Sequence, residues 1–286
     1  MSAARANGQG EEAMSSAAAA ASTGEAASSA ALAAKASAND APSNWSAASR
    51  IAIYYAPPRT SEWWDAGSAW LGRDAESGAL HEPRADFPPL SQTLARLTND
   101  PRRYGWHGTL VAPFRLVDGV QPRDVVDAAQ RWARTQTRFA LPVEAATLGR
   151  FVALRPAGEE ADARVREVAS NALRACAALR ATPSAADLER RLAAPLTERQ
   201  RALLVEWGYP YVFDEFRFHM TLSNSLEDAQ DRAAIVQWWH ARTQQLGPLP
   251  VEGIALFVEP APGEPFVLWQ RIAFGAIGAS DNTEVK

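Results

Sequence analysis

The pattern that most restricts this chain is written twice: Trp106-His107-Gly108-Thr109-Leu110 and Phe218-His219-Met220-Thr221-Leu222 both read aromatic-His-x-Thr-Leu. In an extended chain successive side chains point to opposite faces, so in each copy His and Thr share one face while the aromatic and Leu share the other. One face is core; the other presents an imidazole and a hydroxyl. The chain has four histidines, His81, His107, His219 and His240, and two of them fall in the same tetrad. Chance placement does not account for that coincidence, so the two copies are read as one site.

A fainter echo surrounds the tetrads. Pro142-Val143-Glu144 and Phe151-Val152 recur as Pro250-Val251-Glu252 and Phe257-Val258, each set following a motif strand and a helical segment. The repeat of strand, helix, strand, strand predicts an α+β fold of two similar lobes. Each lobe would hold one antiparallel sheet covered by outer helices, leaving the motif strands to line a central cleft.

Residues 1–49 are rich in Ala and Ser and hold almost no large apolar side chain before Trp45, so they read as a disordered tail, with Met14 as an alternative start. A targeting peptide is the rival reading, but Glu11, Glu12 and Glu25 interrupt it. Residues 50–276 form the expected domain and 277–286 a flexible C-terminal tail. Within the domain, 51–55 is a strand stopped by Pro57-Pro58, and Trp63, Trp64 and Trp70 read as core. A short helix over 91–97 should close before Asn99-Asp100-Pro101, ahead of the first motif strand at 105–114. Helices are expected over 122–136, 159–179, 185–192, 197–207 with Thr197 as N-cap, and 227–244. Residues 143–154 are strand material with a bend near Gly149, and 251–258 and 266–274 are strands.

Function classes narrow with charge and cysteine content. A net charge of -4 and a pI near 5.7 disfavour a general nucleic-acid or membrane-surface binder, which needs a basic field. A local basic cleft stays open. The lone Cys176 leaves no disulfide framework and points to a reducing, cytoplasmic setting. No apolar run is long enough to span a bilayer.

If the two strands bring His107 and His219 to opposite walls of one cleft, a phosphodiester between them can be attacked from one side while its leaving oxygen departs from the other. Histidine suits both proton transfers, because its ordinary pKa of about 6.5 makes both forms accessible. Thr109 and Thr221 can donate to the non-bridging oxygens where charge develops. No cofactor is required, and the threonines are poor metal ligands, so no metal site is expected. Arg115 and Arg217 fall on the histidine face by strand parity, and Tyr104 and Tyr211 could add hydroxyl donors to a small anionic substrate. Arg102 and Arg103 read equally as anion ligands or solvated turn residues, and Tyr104 equally as packing. His81 reads as an exposed bystander and His240 as structural.

These residues resemble the two-histidine (2H) phosphoesterase superfamily. More narrowly, 103–110, Ala112-Pro113-Phe114-Arg115, Gly208-Tyr209-Pro210-Tyr211 and 214–222 are similar to the branch encoded beside bacterial phosphonate-degradation genes, as are 53–58 and 67–74. The resemblance covers the whole expected domain. It implies a bilobal fold, catalytic His107 and His219, phosphate-holding Thr109 and Thr221, and metal-independent chemistry. It further implies a cyclic phosphodiesterase acting on a small phosphorylated sugar, with 5-phosphoribosyl 1,2-cyclic phosphate of the carbon-phosphorus lyase pathway as the natural candidate. The branch pattern has Ala and Lys where this chain has Gly108 and Val111. Two other readings stay open: a phosphodiesterase for RNA 2′,3′-cyclic ends, and a non-catalytic module that binds a phosphorylated metabolite. Oligomeric state is not legible.

Overall fold

Strand β1 (Arg50–Tyr55) opens the described fold and stops before Pro57-Pro58, as proline's missing N–H demands. It comes from a computed structural model that describes residue 42 and residues 45–277, so most of the tail expected at 1–49, and 278–286, lie outside the described residues. Helix α1 (Glu62–Leu71) follows, opened by Ser61, whose hydroxyl accepts from the Trp63 N–H at 3.2 Å, and closed by Gly72 in the left-handed region. It buries Trp63, Trp64 and Trp70, in agreement with the core reading.

Two short helices, α2 (Leu94–Leu97) and α3 (Asn99–Tyr104), lead into the first motif. The first of these closes at Leu97, before Asn99-Asp100-Pro101 as expected, though it starts at Leu94 rather than 91, and a second helix begins at Asn99. Pro101 stands in the first turn of α3, where a missing N–H costs no intrahelical bond. The chain continues through β2 (Gly108–Phe114), α4 (Pro122–Ala133), β3 (Thr137–Leu141) and the hairpin β4 (Val143–Leu148) and β5 (Phe151–Pro156), which turns at Gly149. Helix α5 (Glu159–Ala175), a 3-10 turn (Ala177–Leu179), α6 (Ala185–Leu192) and α7 (Glu198–Trp207) come next, and Thr197 caps α7 as expected. The second half runs β6 (Met220–Thr221), α8 (Ala229–Leu246), β7 (Leu249–Val251), β8 (Gly253–Glu259), β9 (Val267–Ala273) and β10 (Ala276–Ile277).

The fold is therefore mixed α and β, with the repeat order present in both halves. The sheets, however, do not follow the halves. One sheet runs β2-β1-β8-β9 and another β4-β5-β6, so each motif strand lies in the sheet whose hairpin comes from the other half. Helices confirm the exchange: α4 packs on β8 and β9, while α8 packs on β4 and β5. The chain crosses between sheets where β3 and β7 pair antiparallel, Phe139 opposite Val251 and Leu141 opposite Leu249. β3 leads directly into the first Pro-Val-Glu echo, and β7 contains the Pro and Val of the second. The expected assignment of one sheet to each sequence half is corrected accordingly.

The second motif strand is also shorter than its Phe218–Leu222 pattern. Met220 pairs with Leu154 and Thr221 with Ala153, and the Leu222 N–H donates to the Val152 carbonyl at 2.8 Å. Continuing this register places Phe218 opposite Pro156, which has no N–H to donate, so the ladder ends there.

Candidate active site

Each tetrad keeps the alternation that its sequence dictates. Trp106, Leu110, Phe218, Met220 and Leu222 are buried, whereas His107, Thr109, His219 and Thr221 are only partly so. Trp106 is held in the core by stacking on Trp239 at 5.4 Å. On the other strand, the Trp70 indole N–H donates to the Leu222 carbonyl at 2.7 Å. The polar faces are thus fixed by apolar anchors behind them.

The two tetrads touch. β2 and β6 are edge strands of their sheets, and a Cβ built on Gly108 would lie 2.4 Å from both Cε2 and Cζ of Phe218 and 3.3 Å from Met220 Cγ. Glycine at 108 is what lets the Phe218 ring lie this close to β2; the Ala of the resembled branch would need that ring displaced. Gly105, at φ +77, ends α3 and turns the chain so that its carbonyl meets the following histidine.

That carbonyl contact recurs. His107 Nδ1 donates to the Gly105 carbonyl at 2.8 Å and His219 Nδ1 to the Arg217 carbonyl at 3.0 Å, each two residues upstream. Both rings are therefore fixed with Nε2 as the free nitrogen. His107 Nε2 lies 3.3 Å from the Thr109 hydroxyl. Their surroundings differ. His107 stacks on Tyr54 at 4.0 Å with Tyr104 and Phe257 around it, whereas His219 meets only the Phe151 ring, at 5.8 Å. Burial pushes His107 down to about 4, the Gly105 carbonyl opposes that, and the charge of nearby His219 adds to it. His107 is consequently neutral at physiological pH, with a lone pair on Nε2.

The residues open onto two adjoining cavities. One, of about 720 Å³, has His219 and Thr109 in its wall; the other, of about 580 Å³, has His107, Thr109 and Thr221. Thr109, Ala112, Arg180 and Tyr209 line both and mark the boundary. Of the sequence-predicted binding residues, Arg217 and Tyr211 face the His219 cavity, and Tyr104 and Arg115 the His107 cavity. Tyr104 packs on Phe266 at 5.0 Å, so its packing role is real, and the Arg217 guanidinium turns back onto the carbonyls of Asp214 and Phe216.

Arg102 and Arg103 are structural. Arg102 Nε donates to the Leu71 carbonyl at 2.6 Å, and Arg103 pairs with the fully buried Glu259, which Arg50 also holds at 2.5 Å. His81 is exposed as expected; His240 is exposed on α8 rather than built into the core. Sequence reasoning missed Tyr54, Arg180, Arg191 and Tyr209, all in the His107 cavity. Tyr209 stood inside a noted motif, Gly208-Tyr209-Pro210-Tyr211, and so carried a signal. Arg180 and Arg191 did not, because they reach the cleft from a turn and a surface helix. One strained residue adjoins the site: Phe213, φ +53, sits in the 3-10 turn (Phe213–Glu215) before the second motif, held by the edge of Trp207 and by Arg174 above its ring.

The sequence model of a family described as "Protein of unknown function (DUF1045)" matches residues 109–267, more than half of the chain. The match takes in Thr109, His219 and Thr221 and begins two residues after His107. Two curated proteins are similar to it, both named "Ribose 1,5-bisphosphate phosphokinase PhnN". The one from Laribacter hongkongensis is 41% identical over 227 residues, covering 78% of this chain and 51% of that protein. The one from Janthinobacterium sp. (strain Marseille) is 37% identical over 242 residues, covering 80% and 51%. The chain spans about half the length of these curated relatives.

Proposed function

The chain belongs to the DUF1045 family, and from that premise we propose that it is a metal-independent cyclic phosphodiesterase of the two-histidine type. Its substrate is a small phosphorylated sugar, 5-phosphoribosyl 1,2-cyclic phosphate, in phosphonate metabolism. The observation that carries the reading is the matched pair of imidazoles, each fixed through Nδ1 to a carbonyl two residues upstream, with the Thr109 hydroxyl 3.3 Å from His107 Nε2. The exchanged hairpins support the corresponding two-lobed arrangement.

In this reading His107, neutral and enclosed, takes a proton from water through Nε2 as the water oxygen bonds to phosphorus. The P–O bond to the sugar 2-oxygen breaks, and His219 protonates that oxygen. The ring opens to a phosphomonoester on the 1-oxygen and a free 2-hydroxyl. Thr109 and Thr221 donate to the non-bridging oxygens, where charge builds up.

The relatives' names fit this place in a sequence of reactions. Opening the cyclic diester yields ribose 1,5-bisphosphate, the compound in those names. The phosphokinase itself needs other residues. Common nucleotide-phosphate cradles set a lysine on the phosphates, whereas this chain's lysines are Lys35 and Lys286 and it has no GxxxxGK[ST] segment. We therefore assign the kinase to the half of each relative that this chain does not span, and the preceding step to the half that it does.

A second reading has its own observation. The larger cavity is walled by Leu148, Phe151, Val212 and Phe216, more apolar surface than a pentose uses and suited to a nucleobase. A nucleoside or RNA 2′,3′-cyclic phosphate would then be the substrate. Turnover of both substrate types by wild type, His107→Ala and His219→Ala, with and without chelator, tests the proposal. Each alanine should cost about 10²–10⁴-fold, chelator should cost nothing, and the sugar should be preferred. Activity lost to chelator and restored by a divalent ion would sink the mechanism; a preference for the nucleotide would replace the substrate.

A further inference from the structure

The two cavities differ in charge. Around the His219 cavity, Arg155, Arg180 and Arg217 face Glu144, Glu159, Asp162 and Glu215. Around the His107 cavity, Arg50, Arg115, Arg180, Arg190 and Arg191 face Asp187 alone. Two of these arginines are spent inside the protein, Arg50 on Glu259 and Arg190 on Asp187.

None of the other three is in an ion pair among the described residues, although Arg191 lies near enough to Asp187 to help hold that carboxyl below its usual range. Arg180 donates one N–H to the Trp207 carbonyl at 2.8 Å and Arg191 one to the Gly208 carbonyl at 2.6 Å. Successive carbonyls at the end of α7 therefore hold two guanidinium groups side by side, a helix end being where backbone dipoles favour cations. Arg180 Nε is buried with no hydrogen-bond partner, although an unsatisfied buried donor carries a desolvation cost. Arg115 is exposed at the same cavity and its side chain has no hydrogen bond or ion pair among the described residues. Three guanidinium groups lining one cavity with no ion pair of their own are matched to an oxyanion with several acceptors, which can take paired N–H donors from each.

We propose that the cavity beside His107 is a phosphomonoester subsite in which Arg115, Arg180 and Arg191 hold a second, terminal phosphate of the substrate. The inference deepens the cyclic phosphodiesterase reading and rests on it for the identity of the reacting group. It sets the direction in which the substrate lies: the cyclic diester between the imidazoles, the terminal phosphate on the His107 side, and the His219 cavity away from it. It also makes the arginines, rather than the histidines, the source of preference for doubly phosphorylated sugars.

The test compares ribose 1,2-cyclic phosphate with and without its 5-phosphate on wild type, Arg115→Gln and Arg191→Gln. Losing one charge-assisted bond should lower the ratio of the two kcat/KM values about tenfold in each variant. A ratio equal to that of wild type overturns the subsite. Arg191 also ties α6 to α7, so if Arg191→Gln fails to fold, Arg115→Gln decides alone, since its side chain has nothing to lose. Should wild type turn over neither sugar, the reaction assigned above falls and the subsite is tested separately by titrating inorganic phosphate. Binding weakened about tenfold in Arg115→Gln supports it, and unchanged binding overturns it.

Discussion

Replacing Gly108 by alanine tests the contact on which the site depends. The added Cβ would stand 2.4 Å from Cε2 and Cζ of Phe218, where carbon atoms normally rest about 3.5–4.0 Å apart. The ring must therefore retreat by about 1.1–1.6 Å. It has little room to do so, being 2% exposed and backed by the Tyr55 ring at 6.1 Å. Overpacking of this kind costs about 1–3 kcal/mol, which in a chain of this size lowers Tm by roughly 2–12 °C. Phe218 also precedes His219, and a displacement near 1 Å at a reacting group can cost about 10²-fold in rate. Thermal melts and cyclic phosphodiester turnover on the same preparations should show both losses. Adding Phe218→Leu shortens the offending side chain and should restore part of each. If Gly108→Ala melts and turns over like wild type, the motifs are not in the contact described and the two-wall site fails with it.

Two further outcomes follow from buried ionisable groups. His107 is held at about 4 by burial, so its proton-free form is lost only as pH falls through that value; the acid limb of kcat/KM should lie near 4, and a limb near the ordinary 6.5 would contradict His107 as the base. Burial opposes ionisation of Glu259, yet Arg50, the Gly263 N–H and Arg103 hold its carboxyl below the usual range. Its stabilisation is present above the unfolded-state value and lost as pH falls through the folded one. Glu259→Gln should therefore cost about 3 kcal/mol at neutral pH, with a gap to wild type in urea melts that narrows as pH falls below the ordinary carboxylate range; a gap that does not narrow on acidification would refute the ion-pair assignment.

The alternation of each tetrad was legible because it depends only on strand parity, a local property. The same is true of α7, whose cap Thr197 is written in the chain. Helix α1 carried equally plain signals in Ser61 and Gly72, but its tryptophans read as core without suggesting an element. The exchange of hairpins between sheets was not legible at all. Each half repeats strand, helix, strand, strand whichever sheet its hairpin joins, because pairing is decided by contacts far apart in sequence, such as Ile53 against Leu256 and Leu154 against Met220.

The same distinction explains the site. His107 and His219 were visible because a strand orients them with respect to their neighbours in sequence. Arg180 and Arg191 become visible only once α7 has placed the carbonyls of Trp207 and Gly208 beside the cleft. On the proposed function, reaction chemistry is encoded in a repeated local pattern, while discrimination among substrates is left to single residues delivered by the fold. A chain keeping both tetrads but altering Arg115, Arg180 or Arg191 should, on that division, retain ring-opening chemistry and act on a different phosphodiester.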